Sequence, residues 1–268
     1  MVTTGSADPV ASTPRPSFRR VRMTVAYNGA GYRGFWALEG QKTVAGDLRA
    51  ATERVLRHPI DFTCAGRTDA GVHATGQVVS FDADPERLDP KRLQKSLNGL
   101  LAPGIAVRDI EFVDARFDAR FSARARWYRY RVLSSPVPDP LRVGVVWHVT
   151  DQLDGALMNE AAAALVGEHD FSSFCRRPNP GVDGLDRSLV RRVLAARWTE
   201  MGDEWHFEVG ASAFCQQMVR SFTGTLVNAG RARFGPDEMT AILAARDRSR
   251  AGLIAPPQGL VLERVDYG

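Results

Sequence analysis

Across residues 20–27 apolar and polar side chains alternate, Val21, Met23 and Val25 against Arg22 and Thr24, which is the period of a half-buried strand. A glycine-rich turn follows, and then the period changes. Val44, Leu48, Ala51 and Val55 recur on one helical stripe behind Thr43, a good N-cap residue. Short alternating runs predict strands at 60–63 and 77–81. Asp89 and Pro90 are an N-cap and first-turn pair, Leu93, Leu97 and Leu100 form the helical stripe after them, and Pro103-Gly104 closes it. Residues 105–113 look like another strand, so the first part runs strand, helix, strand, strand, helix, strand.

The remainder repeats that style. A strand is predicted at 143–149, then a helix with Leu153, Leu157, Ala161 and Leu165 on one face. Residues 190–198 and 204–209 read as adjacent strands joined by Met201-Gly202-Asp203. Phe214, Met218, Phe222 and Leu226 form a helical stripe with Arg220 off it, 237–246 is a last short helix and 259–265 a terminal strand. Two strand-and-helix halves without sequence identity predict an α+β protein, sheet on one side and helices on the other. Residues 1–17, rich in Thr, Ser, Ala and Pro, predict a disordered tail; 18–122 and 123–268 are the expected N- and C-terminal domains. The Pro-, Gly- and Arg-rich stretch 176–186 predicts a mobile loop.

Composition narrows the class. Hydrophobic residues at 44% and charged residues at 25% fit an ordinary globular protein. No apolar run is long enough for a membrane span and 1–17 lacks the core of a signal peptide, so the expectation is a cytoplasmic protein without a membrane partner. Cys64, Cys175 and Cys215 are odd in number and lack CxxC spacing; neither a disulfide framework nor a structural zinc site is indicated, and small core hydrophobes are expected. Arginine clustering, with a net charge of +4 and a sequence pI near 9.2, allows an anionic partner.

The candidate chemistry sits in Cys64-Ala65-Gly66-Arg67-Thr68-Asp69-Ala70-Gly71-Val72-His73-Ala74-Thr75-Gly76, where a carboxylate, a guanidinium and an imidazole crowd between glycines spaced five apart. Arg67 and Asp69 are two apart and can share a face of an extended segment. A guanidinium nearby favours a charged carboxylate, as a nucleophile or base requires. A solvated turn with a surface ion pair fits the same residues. Gly29-Ala30-Gly31-Tyr32-Arg33-Gly34 matches the dinucleotide pattern GxGxxG, but the helix that should open at its third glycine waits until Thr43. From Arg116 to Arg131, Arg116, Arg120, Arg124, Arg126, Arg129 and Arg131 interleave with Phe117, Phe121, Trp127, Tyr128 and Tyr130. That pattern suits a nucleic-acid surface, or equally a strand with inward aromatics and solvated arginines. Arg220 alone reads as a solvated residue on an amphipathic helix. Cys64 and His73 invite a Cys-His hydrolase reading, but nine residues of separation give no evidence of contact, and His73 reads better as ordering the loop.

Taken together these residues resemble the tRNA pseudouridine synthase A (TruA) family. Gly66 to Ala74 matches its signature nearly residue for residue, and other blocks follow in order: Ser96-Leu97-Asn98 with Pro103, 115–130, 167–174, 214–224, Gly259-Leu260 and Val265-Asp266-Tyr267. The resemblance implies the pseudouridine synthase fold, a continuous mixed or antiparallel sheet with helices on one side. It also implies isomerisation of uridine to pseudouridine in the tRNA anticodon arm, at positions 38 to 40, with no cofactor and no metal, by a homodimer with tRNA lying across both subunits. By motif, Asp69 is the nucleophile, Arg67 helps extrude the target base, Tyr128 lies against the uracil and Arg220 pairs with Asp69. Tyr128 is also a candidate base for the carbon 5 proton, although a phenol near its reference pKa is a poor one. Arg124, Arg126, Arg129 and His73 are the expected RNA contacts.

Departures from the family pattern lie in the first block. Tyr27-Asn28-Gly29-Ala30, Gly34-Phe35-Trp36 and Thr43-Val44-Ala45-Gly46 stand for the usual Tyr-Asp-Gly-Thr, Gly-Trp-Gln and Thr-Val-Gln-Gly. A non-catalytic RNA-binding module and a nucleotide-dependent oxidoreductase resting on 29–34 are the rival readings. The set Arg67, Asp69, Tyr128 and Arg220 argues against the first, because binding alone gives no reason to place a carboxylate where a phosphate backbone approaches.

Overall fold

The alternation at the start of the chain forms β1 (Arg19–Tyr27), in which Val21, Met23, Val25 and Tyr27 are buried while Arg22 and Thr24 are only partly covered. The computed structural model describes residues 18–36, 40–176, 188–235 and 237–268; the tail expected at 1–17 and the loop expected at 176–186, apart from Arg176, lie outside them. Helix α1 (Val44–Leu56) begins where its cap predicts, with the Thr43 hydroxyl accepting from the Gly46 amide. Helix α2 (Pro90–Leu101) is capped by Asp89.

Between them the expected strand at 60–63 shrinks to β2 (Thr63–Cys64), and β3 (His73–Ala83) starts earlier than its apolar run. The motif's own His73 to Gly76 is therefore sheet, because pairing with neighbouring strands outweighs the local polarity of that stretch. β4 (Ile105–Phe112) completes this half. In the second half come β5 (Ala123–Ser134), β6 (Trp147–Val149), α3 (Gly155–Ala163), β7 (Gly167–Asp170), β8 (Val190–Met201), β9 (Glu204–Ala211), α4 (Met218–Gly230), α5 (Asp237–Ala245) and β10 (Leu260–Tyr267). Residues 143–146, expected as strand, are turn.

The ten strands form one mixed sheet in the order β4-β1-β3-β10-β5-β9-β8-β7, with β2 on β3 and β6 on β5. Register follows burial: Val21 faces Phe81 and Met23 faces Val79, so the apolar sets share one side. Leu48, Leu97, Met158, Phe222 and Met239, one from each helix, join those strand residues in a single core, each fully buried side chain contributing roughly 1.5–3 kcal/mol. The opposite face carries a smaller cluster of Ala65, Val78 and Ala119 packed with Phe117, Val265 and Tyr267. The last strand, β10, lies between the halves, parallel to β3 at Val261–His73 and antiparallel to β5 from Leu260–Tyr130 to Tyr267–Ala123. That insertion sets the start of β3, and the loop just before it, beside Tyr128 in the middle of the sheet.

Candidate active site

The loop from Ala65 to Val72 is pinned from below. Gln77, fully buried on β3, donates to the Gly66 carbonyl at 2.7 Å and to the Tyr27 hydroxyl at 3.4 Å, and Tyr27 shares a 2.8 Å hydrogen bond with Thr68. Burial pushes the Tyr27 phenol above its ordinary range, with the bonds to Thr68 and Gln77 working against that shift, so at neutral pH it is a fixed neutral group. The glycine-rich turn expected as a nucleotide decoy backs the loop: the Phe35 amide donates to the Thr68 carbonyl, and a Cβ on Gly34 would sit 2.9 Å from that oxygen at a φ of +98°. His73 closes the arrangement. Its Nδ1 accepts from the Gly29 amide at 2.9 Å, which leaves Nε2 to donate to the Gly144 carbonyl, also at 2.9 Å.

On this mount Asp69 meets Arg220, whose Nη1 donates to Oδ2 at 3.1 Å while its Nε holds the Ala255 carbonyl at 2.8 Å. The other carboxylate oxygen, Oδ1, receives no hydrogen bond among the described residues. Arg220 is not a solvated residue: eleven of the thirteen residues of α4 are buried, and the Arg220 side chain retains 14% exposure. The helix starts at Met218, behind the left-handed Gln217, so Phe214 lies outside it and packs edge-on against Tyr128 at 5.1 Å. Tyr128 is buried, which pushes its phenol well above the usual tyrosine value; Arg126 nearby acts the other way.

Asp69, Arg67, Tyr128 and Arg220 line one cleft of about 900 Å³, together with Trp36, Phe121, Phe214 and Leu260. Arg67 is exposed and stands over the Trp36 ring at 4.8 Å rather than pairing with Asp69. The four expected RNA contacts fall elsewhere or are engaged. Arg126 is buried on the same strand face as Tyr128 and donates to the carbonyls of Ala65, Arg120, Ala123 and Ser212. Arg129, on the other face, is ion-paired to Glu208 and Glu263 at 3.0 and 2.8 Å. His73 is buried in the loop contacts above, and Arg124 is exposed against Gly268.

Tyr27, Thr68 and Gln77 were not singled out from the sequence; a glutamine inside an apolar strand run was the available signal. One expectation is overturned outright. Cys175 and Cys215 form a disulfide, with Cα atoms 5.7 Å apart, although 40 residues separate them. Phe171 and Phe174 pack on Phe222 of α4, and that tertiary contact, invisible in Cys spacing, carries Cys175 to Cys215. Cys64 is free and buried, as expected for a small core residue.

The family profile described as tRNA pseudouridine synthase matches residues 23–122 and 161–268. The chain belongs to the tRNA pseudouridine synthase family. Curated relatives named tRNA pseudouridine synthase A agree along nearly their whole length: one from Moorella thermoacetica is 41% identical over 92% of this chain and 99% of its own, and one from Hyphomonas neptunium 42% over 92% and 98%. A third, from Brevibacillus brevis, is 40% identical over 93% and 100%. Members of the tRNA pseudouridine synthase family are isomerases with tRNA as substrate, and the mixed sheet with five helices described above is an α+β architecture consistent with that fold. No helix among the described residues is long and apolar enough to cross a membrane.

Proposed function

We propose that this synthase isomerises uridine in the anticodon arm of tRNA, at positions 38 to 40, with Asp69 as the nucleophile. One observation carries the reading: Asp69 stands on a pinned loop with one oxygen held by Arg220 and the other open, in a cleft walled by the ring of Tyr128. A carboxylate held at one oxygen is oriented yet still able to attack. In the reaction the bond from ribose C1′ to N1 of uracil breaks, a bond from C1′ to C5 forms, C5 loses its proton and N1 takes one up, so that product and substrate are isomers. Asp69 either attacks C1′ or assists elimination from the sugar, and both routes use its open oxygen.

Removing the base from its stack costs a few kcal/mol, which pocket contacts must offset. Arg67, exposed beside Trp36, suits extrusion of the base, and the Tyr128 ring suits a face against the uracil. Burial pushes the Tyr128 phenol above its usual value, which makes it a poorer base for the C5 proton, so in this reading its ring serves as the surface for the uracil. In this reading residues 18–122 form the domain carrying Asp69, residues 123–268 complete the RNA cleft, and a homodimer binds one tRNA across both subunits. Sedimentation with and without tRNA checks the assembly.

The function is tested by release of tritium from tRNA carrying carbon-5-labelled uridine in the anticodon arm. Release is expected. No release from any tRNA, with binding retained, would favour the RNA-binding module instead. Mapping pseudouridine in tRNA from cells with and without the gene identifies the positions.

A further inference from the structure

Phe121 is 79% exposed, more than any other aromatic residue among the exposed large hydrophobics described, yet the loop beneath it is tied by hydrogen bonds from several sides. Asp118 Oδ1 accepts from the amides of Arg120 and Phe121, both at 2.8 Å, and the Asp118 amide donates to the Ser122 hydroxyl at 3.0 Å. Neighbouring elements hold the same turn from outside: the Ala119 amide donates to Ser80, the Ala119 carbonyl accepts from Tyr267, and the Arg120 carbonyl accepts from Arg126 at 2.6 Å. A loop so pinned has little freedom left to fold its phenyl ring inward. The Arg120 guanidinium lies against that ring, 5.2 Å from its centroid, and both side chains line the cleft that contains Asp69.

Phe117, four residues earlier on the same segment, packs on Tyr267 at 4.9 Å, so burying an aromatic ring here is possible. Leaving Phe121 in water forgoes the stabilisation that burial would bring. A rigid, exposed aromatic face with an adjoining guanidinium is the arrangement that binds an unstacked nucleobase, the ring taking the base face and the cation the neighbouring phosphate.

We propose that Phe121, with Arg120, is a stacking platform for a base next to the target uridine, which holds the strand while the target leaves its stack. The proposal rests on the tRNA isomerase reading above and deepens it by naming a positioning residue for the nucleotide flanking the target.

The test uses the full-length protein, a substrate anticodon-arm RNA with 2-aminopurine on the 5′ or the 3′ side of the target, and the variants Phe121→Ala and Phe121→Trp. The wild type is expected to quench one of the two probes. Phe121→Ala should abolish that quench and raise KM and Kd by about 10-fold, within the range of base–aromatic stacking, with kcat changed less than about 3-fold. Phe121→Trp should restore both, a rescue that a merely structural role does not predict, and thermal midpoints should match throughout. Quench and Kd are read again in Asp69→Asn, so neither needs turnover. Should Phe121→Ala quench and bind like the wild type while the wild type converts uridine, the platform falls and the isomerase reading stands. Should Phe121→Ala instead shift the sedimentation of the free protein, Phe121 is a subunit contact and the platform is again overturned. A wild type that makes no pseudouridine in any tRNA brings down the isomerase reading, and loss of the quench on Phe121→Ala would even then support the platform.

Discussion

Of the carboxylates met by arginine, Glu204 and Asp69 are held in different ways. Glu204, at the start of β9, is buried and accepts from Arg131 at 2.8 Å on each oxygen, from Arg142 at 3.0 Å and from His206 at 2.9 Å. Burial by itself would raise its pKa, but Arg131, His206 and Arg142 together hold it down to about 2. Asp69 has a single donor among the described residues, on one oxygen, and keeps its side chain 26% exposed. An acid whose lone pairs are all engaged braces a fold; one left half-engaged is available to a substrate. The comparison suits Glu204 to bracing the fold and leaves Asp69 open for the role proposed for it.

The largest effect that could break that assignment is in Asp69→Asn. Turnover is expected to fall on the order of 10⁴-fold or more, while tRNA affinity stays within a few fold and stability within about 0.5 kcal/mol. Substantial pseudouridine formation by this variant would end the nucleophile role. Arg220→Ala should cost about 100-fold in turnover, the size of one lost electrostatic contact to the reacting group, and Arg220→Lys should recover only part, since one ammonium cannot reproduce the fork to Asp69 and Ala255. Full activity in either would detach α4 from the mechanism.

Glu204→Gln probes the other side of the comparison. It should destabilise the fold by about 2 kcal/mol, because two arginines lose their counter-charge, with turnover at low temperature unchanged. The Glu204 carboxyl is lower in the folded state than its ordinary 4.5, so its contribution is complete above about pH 4.5 and is lost as pH falls toward about 2. Denaturant midpoints across that window should drop in the wild type and flatten in Glu204→Gln. The smallest effect is at His73, whose imidazole is pushed below 6.5 by burial. Its neutral form accepts from Gly29, so stability is full above about pH 6.5 and declines below it, by roughly 1 kcal/mol or less, and His73→Phe should remove that slope.

Much of the fold was legible because it rests on local chemistry. Thr43 and Asp89 cap the helices they predict, the alternation at 21–25 is a strand, and the signature around Asp69 points to its family. What escaped depends on neighbours far away in the chain. Arg126 reads as a phosphate contact in a row of arginines, but Ala65 after β2, Arg120 in the Asp118–Ser122 turn, Ala123 at the start of β5 and Ser212 just past β9 surround it with four carbonyls that need a donor. Residues 143–146 have strand composition but pair with no strand among the described residues.

The sequence by itself determined the candidate residues: Asp69 and Arg67 between glycines, Tyr128 among arginines, and the helix that carries Arg220. Only the tertiary structure decided how they meet. Insertion of β10 between β3 and β5 places the Asp69 loop beside Tyr128, and burial of α4 on nearly all sides turns Arg220 from solvent into the cleft. The reason is physical: period and capping are properties of adjacent residues, whereas the partner of a buried charge is chosen by whichever distant segment the packed core brings within 3 Å or so of it.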